Sequence, residues 1–245
     1  MVTGALSRTF LETVKPTLSN PKLADLPIRV GSTIFGSFGK SDFFGVRDFA
    51  APGLMIVIVY SIGFALTAFT LLIEKEDQTL DRSYSSGLGP FQIIFGQVVT
   101  RFVFLVPAVV ILLTLSITLF GIPCRGSFLS AICLLLLQML SGMALGVFLS
   151  TILPSIFSCA IVANAVLLFT FIISGVMWSI DTLPYYLRWV SVTQPTTAAA
   201  QSLRSILVRG LPITQSTVLI GYIASAAWIG VWLTAGTLSF AFQNN

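Results

Sequence analysis

The chain has 245 residues, 56% of them apolar and only 9% charged, where an ordinary soluble domain carries roughly 25% charged residues, so it is not a soluble globule. There is no His, which removes the commonest general base and metal ligand and with them zinc hydrolases, His-based triads and haem sites. The formal charge of +4 is spread over 13 basic residues without a basic run, so nothing points to nucleic acid.

In chain order, residues 1–49 hold six of the 13 basic and four of the nine acidic residues and read as a water-exposed arm. The first 20 of them lack the continuous apolar stretch of a secretory signal. Within the arm, Gly39-Lys40-Ser41 looks like the end of a phosphate-binding loop, but Ile34 stands where that motif needs Gly. Gly31 and Gly36 have the required separation, and Ser37 then replaces the Lys. No ATP hydrolysis is expected from this chain alone.

A bilayer core of about 30 Å takes roughly 20 apolar residues in a helix. Five segments satisfy this: Ala50–Ile73, Phe102–Phe120, Phe128–Leu153, Ile156–Met177 and Ser216–Phe240. No acid or base occurs from Gly126 to Ile180, a run of 55 residues, too long for one crossing. Leu153-Pro154-Ser155 is the natural corner, since Pro ends a helix and Ser caps the next. None of the five spans holds an ionisable group, which argues against an ion-coupled carrier or a voltage sensor.

Residues 74–101 open on a charged block, Glu74-Lys75-Glu76-Asp77-Gln78-Thr79-Leu80-Asp81-Arg82, and pass through Ser85–Pro90 into Phe91–Arg101. The expectation is a short helix, a turn and a second helix at the membrane face. Taken alone the block is either a solvated loop or a docking element that receives force from another protein. Residues 178–215 mix Trp178, Tyr185, Tyr186 and Trp189 with Pro184, Pro195 and Pro212 and with Arg188, Arg204 and Arg209. Rings with scattered cations suit helices lying in or dipping into the headgroup layer.

Inside the spans, Gln138 and Asn164 are either packing contacts or the lining of a substrate path. For Thr67, Thr114, Ser141, Ser174 and Thr234, hydrogen bonding between helices is the expected role. Gly142-Met-Ala-Leu-Gly146 permits a close helix contact, within one subunit or between two. Cys124, Cys133 and Cys159 are too few and too scattered for a disulfide framework or a thiolate cluster. No catalytic, cofactor-binding or metal-ligating set emerges. A membrane-embedded enzyme would need a clustered acid or base, yet Asp181 is the one acid after Asp81.

Six stretches in order carry a resemblance: Phe49-Ala50-Ala51-Pro52-Gly53, Glu74 to Ser83, Ser174-Gly175-Val176-Met177-Trp178-Ser179-Ile180, Leu187-Arg188-Trp189-Val190-Ser191, Gln194-Pro195-Thr196-Thr197, and Leu203 to Gly210. Over residues 42–240 the chain resembles the membrane domain of type-two ABC exporters of the G and H subfamilies, most of all arthropod H-like half-transporters. The resemblance implies a six-helix, all-α membrane half in which the five spans match helices two to six and the arm 1–49 matches the outer loop after helix one. It implies pairing with a second membrane half in a homo- or heterodimer, and an ATP-binding domain, on the same or another chain, that binds ATP and Mg. The block Glu74, Lys75, Glu76, Asp77, Thr79, Leu80, Asp81 and Arg82 would couple to that domain. The segment 178–215, with Trp178, Arg188, Trp189, Pro195, Arg204 and Arg209, would form the re-entrant outer loop. On this reading the chain is the translocating part of an exporter of lipids or hydrophobic small molecules at the plasma membrane, lacking the first helix and the ATP-binding domain. The rival expectations are a non-transporting truncated fragment and a stand-alone channel or carrier. Ten of the 13 basic residues fall on the side that the resemblance makes external, against the positive-inside rule.

Overall fold

The computed structural model describes residues 42–79, 85–87, 89–176 and 184–243. Most of the arm 1–49, the Gly39-Lys40-Ser41 triplet, Leu80, Asp81, Arg82 and Trp178 lie outside the described residues. Among the described residues the architecture is all-α, with α1 (Asp42–Glu76), α2 (Pro90–Thr118), α3 (Phe128–Ile152), α4 (Ile156–Ile173), α5 (Tyr185–Thr193), α6 (Pro195–Leu207) and α7 (Ser216–Gln243). Five of these, α1 to α4 and α7, are long and apolar enough to cross a membrane. The chain is a multi-pass integral membrane protein.

Two helices begin earlier than the sequence suggests. α1 starts at Asp42, and Pro52, read above as opening the span, lies inside it. Arg47, whose charge falls in this extension, is held by the Asp48 carboxylate and donates through Nη1 to the Phe120 carbonyl at 2.8 Å. In α2, Phe91–Arg101 is not a separate helix at the membrane face. It forms the first turns of one continuous helix, whose start is fixed by the Gly89 N–H donating to Gln92 Oε1 at 3.1 Å. That continuity corrects the expectation of uncharged spans, because α2 carries Arg101. Seventeen residues, or about 26 Å at 1.5 Å each, separate Arg101 from the far end of α2 at Thr118, so the cation sits near the edge of the apolar layer.

The corner between α3 and α4 forms as expected. α3 ends at Ile152, and Ser155 caps α4, its Oγ accepting from the Ser158 N–H at 3.3 Å.

α3 is the central helix and packs most extensively on α1. Its two motif glycines face the backbone of α1. A Cβ at Gly142 would run into the Tyr60 carbonyl, and one at Gly146 would sit 2.6 Å from the Phe64 carbonyl. From the other side, a Cβ at Gly63 would lie 2.6 Å from the Met139 carbonyl. The glycine motif is thus an intrasubunit seam in which two backbones meet without side chains between them. Around it Ile56, Leu113, Leu134, Leu135, Met139, Leu203 and Ile206 form one buried core fed by α1, α2, α3 and α6.

α6 is the unexpected member of that core. Its sequence, rich in Ser, Thr and Ala, suits a membrane surface, yet Thr196, Thr197, Ala199, Ala200, Ser202 and Ser205 are buried against α1, α3 and α7. Small side chains allow this close approach: Gly221 of α7 has no room for a Cβ beside Ser202, whose Oγ donates to the Thr217 carbonyl at 2.9 Å.

Candidate functional site

At one end of the bundle, the C-terminus of α1 meets the N-terminal parts of α2 and α4. Three features finish α1 here. The Asp77 N–H donates to the Ile73 carbonyl at 2.9 Å, Gln78 turns left-handed at φ 56°, and Thr79 Oγ1 folds back to donate to the Glu74 carbonyl at 2.9 Å. Helix C-termini repel anions, so the acids of this block need other partners, and two of them have partners on other helices.

Glu74 accepts from Gln97 Nε2 on both oxygens, at 2.5 and 2.6 Å, and lies 3.6 Å from Arg101 Nη2. Arg101 in turn donates to Gln97 Oε1 at 2.6 Å and to the Thr70 hydroxyl and the Leu66 carbonyl of α1. The result is a network across α1 and α2, with the Glu74 and Arg101 side chains only 23% and 18% exposed and Arg101 Nε alone of its nitrogens without a partner among the described residues. Glu76 reaches the third helix. Its Oε1 accepts from the Ile156 N–H at 3.0 Å, a carboxylate on the positive end of α4. Lys75, Asp77 and Thr79 are exposed at the tip.

Gln97, Arg101 and Thr70 were not singled out by the sequence. Glu74 and Arg101 stand 27 positions apart, and the visible signal was a lone cation bordering an apolar run.

At the opposite end, α5 and α6 fold back into the bundle. Ser191 Oγ of α5 donates to the Ile173 carbonyl at 2.7 Å, and Trp228 Nε1 of α7 donates to the Thr193 carbonyl at 2.8 Å. Arg204 of α6 is the hub of this end. It donates through Nε to the Phe49 carbonyl at 2.7 Å and through Nη2 to the Gly175 carbonyl at 2.8 Å, and its guanidinium lies 3.8 Å from the Phe49 ring centroid. One cation thereby ties α6 to the start of α1 and to the turn after α4. Burial, and secondarily the charge of Arg209, lower the Arg204 pKa to about 10, so it remains cationic at neutral pH. Pro195 is buried with α6, while Arg188, Trp189 and Arg209 are exposed.

The structure does not join the two amides of the spans. Gln138 is fully buried, and its Oε1 accepts from Ser225 Oγ of α7 at 2.8 Å, while its Nε2 has no partner among the described residues. Asn164 lies on the exposed face of α4 with its Nδ2 donating to the Ala160 carbonyl of its own helix at 2.9 Å. The hydroxyls also behave differently from expectation. Thr114 and Thr234 bond back to carbonyls of their own helices, and Thr67, Ser141 and Ser174 are buried without a hydrogen-bond partner among the described residues.

Comparison with known proteins bears on both ends of this bundle. The chain matches the ABC-2 type transporter family over residues 26–208. It is 26% identical over 204 residues to ABC transporter G family member 20 of Dictyostelium discoideum, an alignment that covers 83% of this chain and 27% of that protein. It is 29% identical over 191 residues to the Probable multidrug ABC transporter permease YbhS of Escherichia coli, covering 76% of this chain and 51% of the permease. The chain therefore spans about half the length of the bacterial relative and about a quarter of the amoebal one. Because the family match extends over 183 of 245 residues, from 26 to 208, and takes in the polar network, the central seam and the folded-back helices alike, the chain belongs to the ABC-2 type transporter family.

Proposed function

We propose that this chain is the substrate-translocating membrane part of an ATP-driven exporter, that it works as one of two membrane halves, and that ATP and Mg are held by a partner ATP-binding domain. Within the family we assign it to the G- and H-like half-transporters of the plasma membrane, closest to the arthropod H-like type. The cargo is a lipid or hydrophobic small molecule, because the spans offer apolar surface and their half-buried cations Arg47 and Arg101 are already paired with Asp48 and Glu74.

The observation that carries this reading is the network at the end of α1. Force applied to the exposed tip, at Lys75 to Thr79, acts on a helix whose last turn is bonded to α2 through Glu74 and to α4 through Glu76. A push there moves three helix ends together, and packed helices answer such a push by rigid-body shifts between discrete packings. The outer helix α6, pinned by Arg204 to α1 and to the turn after α4, and α5, held by Ser191 to the end of α4, register the same movement at the far end.

The test is reconstitution of the chain with an ATP-binding partner in vesicles, following export of a fluorescent phospholipid analogue. Export that needs ATP and is lost in Glu74→Gln and Glu76→Gln is the expected result. Export that proceeds with ATP depleted would make the chain a stand-alone carrier and overturn the reading, as would the absence of export with every complete partner.

A further inference from the structure

One cavity lies away from the polar network and from both span amides. It measures about 530 Å³ and is walled by α1, α3, α4 and α7, with the α5–α6 junction as its roof. This is within the range of sites that hold drug-sized molecules. Phe169 of α4 and Trp189 of α5 are exposed and form its rim, while Tyr60, Leu145 and Thr170 are buried and form its floor. The exposed edge of the cavity therefore runs from α4 to α5.

Its chemistry is selective. Five of the twelve lining residues are aromatic, among them Trp228 and Trp232, whose rings stack 5.1 Å apart. No lining side chain carries a charge, so an ionic ligand would find no counter-charge in this largely apolar lining. The polar side chains are mostly engaged: Gln194 donates to Thr170 Oγ1 at 3.4 Å, Thr193 Oγ1 to the Trp189 carbonyl at 3.0 Å, and Trp228 Nε1 to the Thr193 carbonyl at 2.8 Å. Gln194 Oε1 and Trp232 Nε1 lack partners among the described residues but are themselves buried. Tyr60 differs. It is 5% exposed, it lines the cavity, and its hydroxyl makes no hydrogen bond among the described residues. A phenol can both donate and accept, and one left idle in an apolar pocket is unsatisfied until something occupies the space.

We infer that this cavity is a binding site for an uncharged, ring-bearing hydrophobic molecule with one hydroxyl or carbonyl group, which stacks on the tryptophans and hydrogen-bonds to Tyr60. Calling that molecule cargo rests on the export reading above, but binding itself does not. The bound molecule would touch α1 and α4, the helices joined at the polar network, together with the α5–α6 junction, and so would bias the packing that the network moves.

Three of the four tryptophans of the chain line the cavity, which makes their fluorescence a direct reporter. The full chain in lipid nanodiscs, without ATP or partner, is titrated with 3-bromo-1-adamantanol, a transparent ring-bearing quencher with one hydroxyl. 1-Bromoadamantane and 3-bromoadamantane-1-carboxylate serve as comparison probes. Saturable quenching by the alcohol is expected, with half-saturation about three- to tenfold lower than for the bromoalkane, as one net neutral hydrogen bond provides. Tyr60→Phe, which removes only an oxygen, should abolish that preference. Quenching that rises linearly without saturation reports lipid partitioning alone and overturns the inference. An unchanged preference in Tyr60→Phe, or equal binding of the carboxylate, overturns it as well. Since no nucleotide is present, failure here leaves the export reading intact, and ATP-independent export would leave a positive binding result intact.

Discussion

Replacing Gly142 by Ala puts a single methyl group into the seam between α1 and α3, and two opposing effects decide the outcome. In a helix interior Ala is favoured over Gly by roughly 0.8–1 kcal/mol. Against this, the new Cβ overlaps the Tyr60 carbonyl oxygen and lies 3.0 Å from its carbon and 3.2 Å from the Phe64 nitrogen. All three are backbone atoms and cannot rotate away, so the helices must separate. A gap of 0.5–1 Å forfeits a quarter to a half of each dispersion contact along the seam, and overpacking of this kind typically costs about 1–3 kcal/mol. With so deep a backbone overlap the cost falls in the upper part of that range, about 2–3 kcal/mol, so the net expectation is a loss of about 1–2 kcal/mol. Gly230 of α7 supplies the internal control, because a Cβ there meets nothing within 4 Å, and Gly230→Ala should be neutral or stabilising by up to about 1 kcal/mol. Unfolding of both variants in mixed micelles by added dodecyl sulfate, followed by far-UV circular dichroism, gives the comparison. If Gly142→Ala proves as stable as the parent chain, the backbones do not meet as described.

Removing one partner of the polar network should be worse than removing two. Glu74→Gln is expected to lower stability by about 1–3 kcal/mol, because the hydrogen bond from Gln97 becomes neutral and Arg101 loses its counter-charge. Glu74→Gln combined with Arg101→Met should recover a good part of that loss in the same micelle assay, and strict additivity would refute the network. Ser225→Ala strands Gln138 Oε1 in the core and should cost about 1–2 kcal/mol, whereas Ser225→Ala with Gln138→Leu should return close to the parent value. Arg204→Lys preserves the charge but not the fork that spans the Phe49 and Gly175 carbonyls. It should therefore destabilise nearly as much as Arg204→Met, and full rescue by Lys would mean that charge alone holds the outer end together.

Hydropathy made the five spans readable because lipid leaves a helix no alternative way to satisfy its backbone, and the Leu153-Pro154-Ser155 corner was readable because Pro and Ser act locally. The extension of α2 was not. Arg101 reads as a boundary when its partners are unknown, and those partners, Glu74, Thr70 and Leu66, come from another helix 27 to 35 positions away. The burial of α6 was hidden for a related reason. Ser, Thr and Ala look like surface residues by composition, and only the fold reveals that their small size admits neighbouring backbones. Gly142 and Gly146 were visible as a contact motif, but whether the contact lay within one subunit depended on the position of α1. Nothing local marked Tyr60 as different from any other aromatic in a span, since its idle hydroxyl is a property of its surroundings.

Mechanically, the Gly142 and Gly146 contact turns α1 and α3 into a single stiff strut. Springs in a protein are side chains that can change rotamer, and this joint contains none, so a load taken up by α1 arrives at α3 undiminished. Whatever compliance the bundle possesses must then reside in its periphery, where α2 and α4 meet the strut through longer, softer side chains.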